Sequence, residues 1–295
     1  MSAWPVAALL ALLAGLSPAR AQDAARCGPV GPAGQQRCAL PDGSSLLRVM
    51  GADGRRALVL LRRWADGSLA ELRCAPTSLL PEDREPCGHG GALAEVTLYR
   101  EPGKPLGTVS HRRGVLMRQV IVNPQGGVVR SEELVEDSGG PDRRIKRVYY
   151  PSGQLRHEID LAEPPPEQYH GREGVGREFA ESGQLTQEVE WAAGRERRIR
   201  QWHLNGQLKM EQTIRRLGRD ELRETRSFYE DGAPAALNRE RNGRLFGWQQ
   251  YHAPGGALQR EEEYGERGLL LRLRLYDPSG RLLRDERVNE DPSSS

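Results

Sequence analysis

The chain has 295 residues, of which 37% are hydrophobic, 5% aromatic and 28% charged, with 34 Gly and 20 Pro. That length allows one large or two small domains, but the apolar supply is too thin for a thick globule and points to turn-rich architecture. The formal net charge of +2 sets up no overall field for a polyanion, which excludes a nucleic-acid partner from the expectations.

Taken in chain order, the first element is a processing signal. Val6 to Leu16 reads VAALLALLAGL, an apolar run too short to span a bilayer, followed by Pro18 and a small-x-small site, Ala19-Arg20-Ala21. The pattern predicts a leader over residues 1–21, a mature start at Gln22, and an exported protein, periplasmic or secreted. No later stretch approaches eighteen consecutive apolar residues, so no transmembrane segment is expected after leader removal.

Residues 22–92 hold all four cysteines, Cys27, Cys38, Cys74 and Cys87. An even number in an exported chain suits an oxidising compartment. Three pairings are possible, and the local ones, Cys27 with Cys38 and Cys74 with Cys87, are favoured because each closes a short loop. There is no C-x-x-C spacing and only His89 stands near a cysteine, so neither a metal nor a cofactor is expected. This segment reads as a small disulfide-bearing, β-rich module.

Residues 93–288 read as a repeat region, clearest over 145–288. From Tyr149 the units are YYPSGQLRHEI, EFAESGQLTQEV, QWHLNGQLKMEQ, SFYEDGAPA, QYHAPGGALQRE and RLYDPSGRLLRD. Their turn glycines are Gly153, Gly183, Gly206, Gly232, Gly256 and Gly280, spaced 30, 23, 26, 24 and 24 residues apart, the long first step containing Pro164-Pro165-Pro166. Fainter copies precede them at Gly67, Gly103 and Gly126. A residue suited to the right-handed turn region stands before a glycine free to adopt positive φ, which specifies hairpins. A second set of breakers at Gly194, Gly218, Asn242-Gly243 and Gly265 to Gly268 places a turn about every twelve residues, giving an antiparallel meander.

Alternation beyond each glycine supports strands. Leu155, His157, Ile159 and Leu161, then Leu185, Gln187, Val189 and Trp191, then Leu208, Met210, Gln212 and Ile214 fall on one face. The intervening Thr186, Glu188, Glu190, Lys209, Glu211 and Thr213 are expected to face solvent. Each unit also carries an aromatic before its glycine, Tyr149, Phe179, Trp202, Phe228, Tyr251 and Tyr276, expected to supply core or a binding surface. His203 and His252 are placed in the same slot. Residues 289–295 are expected to form a disordered tail.

These residues resemble a known family. An aromatic, two or three residues, Gly, then x-Leu, with the linking segment Arg241-Asn242-Gly243-Arg244-Leu245-Phe246-Gly247-Trp248-Gln249-Gln250-Tyr251, is similar to the variant MORN repeat of the bacterial YwqK-type "antitoxin" family. The best match is residues 241–258; Ala233-Pro234-Ala235 after Gly232 departs most. Tyr276-Asp277-Pro278-Ser279-Gly280-Arg281-Leu282 resembles instead the YD repeat of secreted toxin shells. The resemblance implies a binding or scaffolding β-repeat protein and carries no catalytic residue over.

Enzymatic patterns are weak. Glu136-Asp137-Ser138-Gly139-Gly140-Pro141 looks like a trypsin-type nucleophile segment, but the histidines upstream of it in the mature chain, His89 and His111, lack the general-base context, and the preceding chain is too short for the scaffold. No pair among His89, His111, His157, His170, His203 and His252 has i, i+4 metal spacing. Glu261-Glu262-Glu263 reads as a solvated face, and Gly171, Gly174 and Gly176 lack the order of a dinucleotide fingerprint. Among 43 basic residues only Lys104, Lys146 and Lys209 are Lys, and acids alternate with the Arg, which favours cross-strand pairing over polyanion binding. The expected fold is all-β, an elongated antiparallel hairpin meander with a disulfide-bearing N-terminal module. The expected function is a non-enzymatic protein-binding or scaffolding module in the bacterial envelope; the alternatives are an envelope glycan or lipid binder and a toxin-neutralising protein.

Overall fold

The computed structural model describes residues 25–54, 56–163 and 173–289; the expected leader, the Pro164-Pro165-Pro166 insertion, His170 and residues 290–295 lie outside them. The chain is all-β and divides into two compact units, residues 1–127 and 128–295.

In the first unit, β1 (Arg26–Cys27), β2 (Gln35–Ala39), β3 (Ser45–Met50), β4 (Ala57–Arg63) and β5 (Leu69–Arg73) form an antiparallel sheet in chain order. Cys27 stands directly opposite Cys38 and is disulfide-bonded to it; Cys74 is bonded to Cys87, and no cysteine is left free. Both local pairings are present, and disulfides of this kind persist in oxidising environments. The loop closed by Cys74 and Cys87 is held from inside by Asp83, which is fully buried and accepts the Ser78 hydroxyl at 2.6 Å and the Leu79 amide at 3.0 Å.

Period-two apolar spacing on β3 and β4 puts Leu47, Val49, Val59 and Leu61 on one side, and they join Leu69 in a core completed by Leu98 and Val109. These last two come from β6 (Ala94–Glu101) and β7 (Lys104–Arg112), which with β8 (Val115–Val122) form the next antiparallel strands. The expected boundary at 92/93 therefore falls inside this unit.

The second unit is a single ladder of antiparallel strands in chain order: β9 (Val128–Val135), β10 (Asp142–Tyr149), β11 (Leu155–Glu163), β12 (Gly174–Phe179), β13 (Leu185–Ala192), β14 (Arg195–Trp202), β15 (Leu208–Leu217), β16 (Asp220–Phe228), β17 (Pro234–Arg241), the two-residue β18 (Arg244–Leu245), β19 (Gly247–His252), β20 (Leu258–Tyr264), β21 (Leu270–Tyr276) and β22 (Leu282–Arg287). Beyond β18, β17 also pairs with β19. Two turn chemistries alternate along it. At one end each repeat glycine closes a three-residue turn: His203 N–H donates to Gln207 O at 2.8 Å and Gly206 N–H to His203 O at 3.0 Å. All six repeat glycines have φ between +83° and +88°, a conformation that costs a side-chain-bearing residue dearly and glycine almost nothing. At the other end sit two-residue turns such as Ala193-Gly194 and Asn242-Gly243, with both residues at positive φ.

Little of this ladder is core. Among its described residues only Val189 and Ile214 are buried hydrophobic side chains, and Asp160, Glu188 and Gln249 are buried polar ones. The sheet is therefore held by main-chain pairing and by side-chain pairs across neighbouring strands.

Candidate functional site

The register decides what each face carries. Arg147, Glu158, Arg177, Glu188, Arg200, Glu211 and Arg226 stand directly opposite one another on seven successive strands, β10 to β16, a row of strictly alternating sign. Arg147 Nε donates to Glu158 at 2.8 Å, Arg177 donates to Glu158 at 3.2 Å and to Glu188 at 2.9 Å, and Arg200 also pairs with Glu188. Arg198 pairs with Glu211 from the neighbouring row. Burial opposes the charge on Arg177, but its hydrogen bonds to Glu188 and Glu158 outweigh that and raise its pKa. The row passes through Leu237 opposite Gln250, then resumes as Gln250, Glu261, Arg274 and Asp285, with Gln250 donating to Glu261 at 3.0 Å.

This corrects the expectation that the intervening charged residues simply face solvent. Glu188 is only 8% exposed, because flanking guanidinium groups lie over it from both neighbouring strands. Polar side chains cover their own sheet here, and the acid-base alternation in sequence is what makes the cover neutral.

At the glycine-turn end a second device links consecutive repeats. The residue three before the turn glycine reaches the carbonyl of the next repeat's residue four before its glycine: Tyr150 Oη donates to Phe179 O at 3.0 Å, His203 Nε2 lies 3.0 Å from Phe228 O, and Tyr229 Oη donates to His252 O at 2.6 Å. The position four before the glycine holds Tyr149, Phe179, Trp202, Phe228 and Tyr276, each opposite the residue two beyond its glycine, for instance Trp202 opposite Leu208. In the fifth repeat it holds His252, opposite Leu258. Tyr251 is thus one residue out of the slot and alternates to the other face, where Arg260 lies over its ring at 4.3 Å, and His203 is a linking residue rather than a slot residue. All these rings are half-buried.

The segment around β18 contains a residue whose role the sequence does not announce. Gln249 is fully buried; its Oε1 accepts the Arg239 amide at 2.7 Å and its Nε2 donates to Arg239 O and Phe246 O, both at 3.0 Å. Its side chain stands in for main-chain pairing where the irregular strand leaves the ladder incomplete.

On the face opposite the ion-pair row, the two-residue-turn end opens into a cleft of about 490 Å³. Trp191 and Ile214 form its apolar wall, and Arg195, Arg197, Arg216 and Arg223 surround it. The Trp191 ring lies flat enough on β12 that a Cβ at Gly176 would come within 2.6 Å of it, so a glycine in mid-strand makes the seat for this indole. Arg216 and Arg223 share one carboxylate, Glu221, at 2.9 and 2.8 Å. Arg195 and Arg197 are exposed, and neither has an acidic partner among the described residues. The cleft therefore holds more arginine than acid beside an apolar wall, whereas the row on the opposite face pairs its charges.

No protein-family model and no curated protein sequence matches the chain. Among solved structures it is similar to the crystal structure of TcdB2-TccC3, at 9% identity and TM-score 0.21, over 83% of this chain and 15% of that one. It is also similar to a Bacteroides fragilis protein of unknown function, at 9% identity and TM-score 0.14, over 51% of this chain and 94% of that one. A third likeness is to the TCP10 domain of Danio rerio CPAP in complex with a STIL peptide, at 12% identity and TM-score 0.18, over 89% of this chain and all of that one. The chain spans 15% of the length of the first of these.

Proposed function

We propose that this is an exported, non-enzymatic β-repeat protein that binds another protein through its second unit, on the face opposite the ion-pair row. The observation that supports this is the difference between the two faces. The Arg–Glu row pairs within itself, while on the other face the Trp191–Ile214 cleft is lined by Arg195 and Arg197, which have no acidic partner among the described residues. An extended, side-chain-paired sheet offers a long preformed surface at low ordering cost, and Trp with Arg are the residue types that dominate interface energetics. The resemblance of residues 241–258 to the variant MORN repeat agrees with a binding or scaffolding role, and the two disulfides agree with export to the periplasm or beyond.

The test is reconstitution. A protein isolated from the envelope on immobilised mature protein, then purified, should re-form a stoichiometric complex with a dissociation constant below about 10 μM. Retention of only glycan or lipid would contradict the reading.

A further inference from the structure

We propose that the cleft bounded by Trp191 and Ile214 is a docking site for an acidic peptide segment carrying an apolar side chain, an inference that rests on the protein-binding reading and names the chemistry of the segment bound.

The charge pattern selects the occupant. Four arginines are among the residues lining the cleft, against two acids, Glu196 and Glu221; among the described residues Glu221 is engaged, by Arg216 and Arg223, and Glu196 is not. Planar guanidinium forks match carboxylates in a bidentate manner, and this protein already uses that match along its opposite face, where Arg177 bridges Glu158 and Glu188. The two acids in the lining repel a compact, multiply charged group such as phosphate more strongly than single carboxylates spaced along an extended chain. Trp191 and Ile214, with Ala192 and Ala193 beside them, ask for an apolar group next to the acid, which a peptide supplies and a uronic-acid glycan lacks. A volume of about 490 Å³ suits a few side chains rather than a folded surface.

The experiment uses the mature protein and a fluorescein-labelled peptide of alternating glutamate and leucine, read by anisotropy. Binding is expected at a dissociation constant on the order of 10–100 μM, lost for the glutamine counterpart. The Arg195→Ala/Arg197→Ala variant should bind about tenfold more weakly or worse. Arg215→Ala/Arg219→Ala, which removes two exposed arginines outside the cleft, should change binding less than about twofold. Should the alanine pair disturb folding, Arg195→Gln/Arg197→Gln keeps the aliphatic stems and carries the same expectation. Equal weakening in both pairs, absence of peptide binding, or tighter binding of polygalacturonate or inorganic phosphate than of the peptide would each overturn the assignment. An envelope partner that binds the Arg195→Ala/Arg197→Ala variant undiminished sinks the cleft and leaves the protein-binding reading standing. Peptide capture at the cleft with no envelope protein bound does the reverse.

Discussion

The hydroxyl of Tyr229 donates to the backbone carbonyl of His252 at 2.6 Å, across 23 residues of sequence and from one hairpin turn to the next. Tyr150 and His203 make the equivalent link at 3.0 Å each. A ladder with so little buried apolar surface gains its turn-to-turn order from such bonds. Tyr229→Phe keeps the ring and removes only the donor, so stability should fall by about 0.5–1.5 kcal/mol, read by urea denaturation. An unchanged midpoint would show that the link contributes nothing.

Gly206 stands at φ +87°, where a β-branched residue is strained. Gly206→Val should destabilise by roughly 1–3 kcal/mol, while Gln207→Thr beside it should cost less than about 0.5 kcal/mol. Equal effects in thermal denaturation would remove the backbone explanation.

The turns and face alternation were legible in sequence because both depend on local requirements: glycine where φ is positive, and a period of two along a strand. What spans hairpins was not. The Arg147–Glu158–Arg177–Glu188 row exists only once every register is known, and one bulge such as that between Tyr251 and His252 moves an aromatic from one face to the other. Trp248-Gln249-Gln250-Tyr251 is legible as part of a repeat, yet nothing in that pattern marks Gln249 as its fully buried residue. Arg195 and Arg197 looked like the other arginines until pairing showed that acids answer most of those and not these.

Glu188 gives a quantitative check on the row. It accepts Arg177 at 2.9 Å and pairs with Arg200 while 8% exposed, so Glu188→Ala removes the acid that stands between two guanidinium groups and leaves Arg177 to Glu158 and Arg200 to Glu190. The expected loss is about 2–4 kcal/mol. The exposed Lys104–Glu101 pair at 2.7 Å is screened by solvent, so Glu101→Ala should cost far less than Glu188→Ala. Comparable losses from both would mean the row is ordinary surface pairing.

His111 makes the first unit acid-sensitive. Burial, then the nearby His89 imidazole, lowers its pKa from 6.5 to about 4, so the folded state keeps the ring neutral where the unfolded chain already binds a proton. Stability contributed by the neutral ring is therefore full above about pH 6.5 and is lost as pH falls toward 4, in all about 2–3 kcal/mol. Denaturant titrations at pH 7.5 and 4.5 should show this loss in the wild-type protein and a reduced one in His111→Phe. An equal pH dependence in the two proteins would contradict it.

The claim that one face is closed by its own ion pairs and the other is left to bind a partner is tested most directly by photo-crosslinking from adjacent positions. Gln212 and Thr213 are neighbours on β15 whose side chains alternate to opposite faces, Gln212 to the cleft side and Thr213 to the ion-pair side. With a benzophenone side chain at each in turn, the account predicts a discrete protein adduct from position 212 and none from position 213. Adducts from 213 alone, or equally from both, would contradict it.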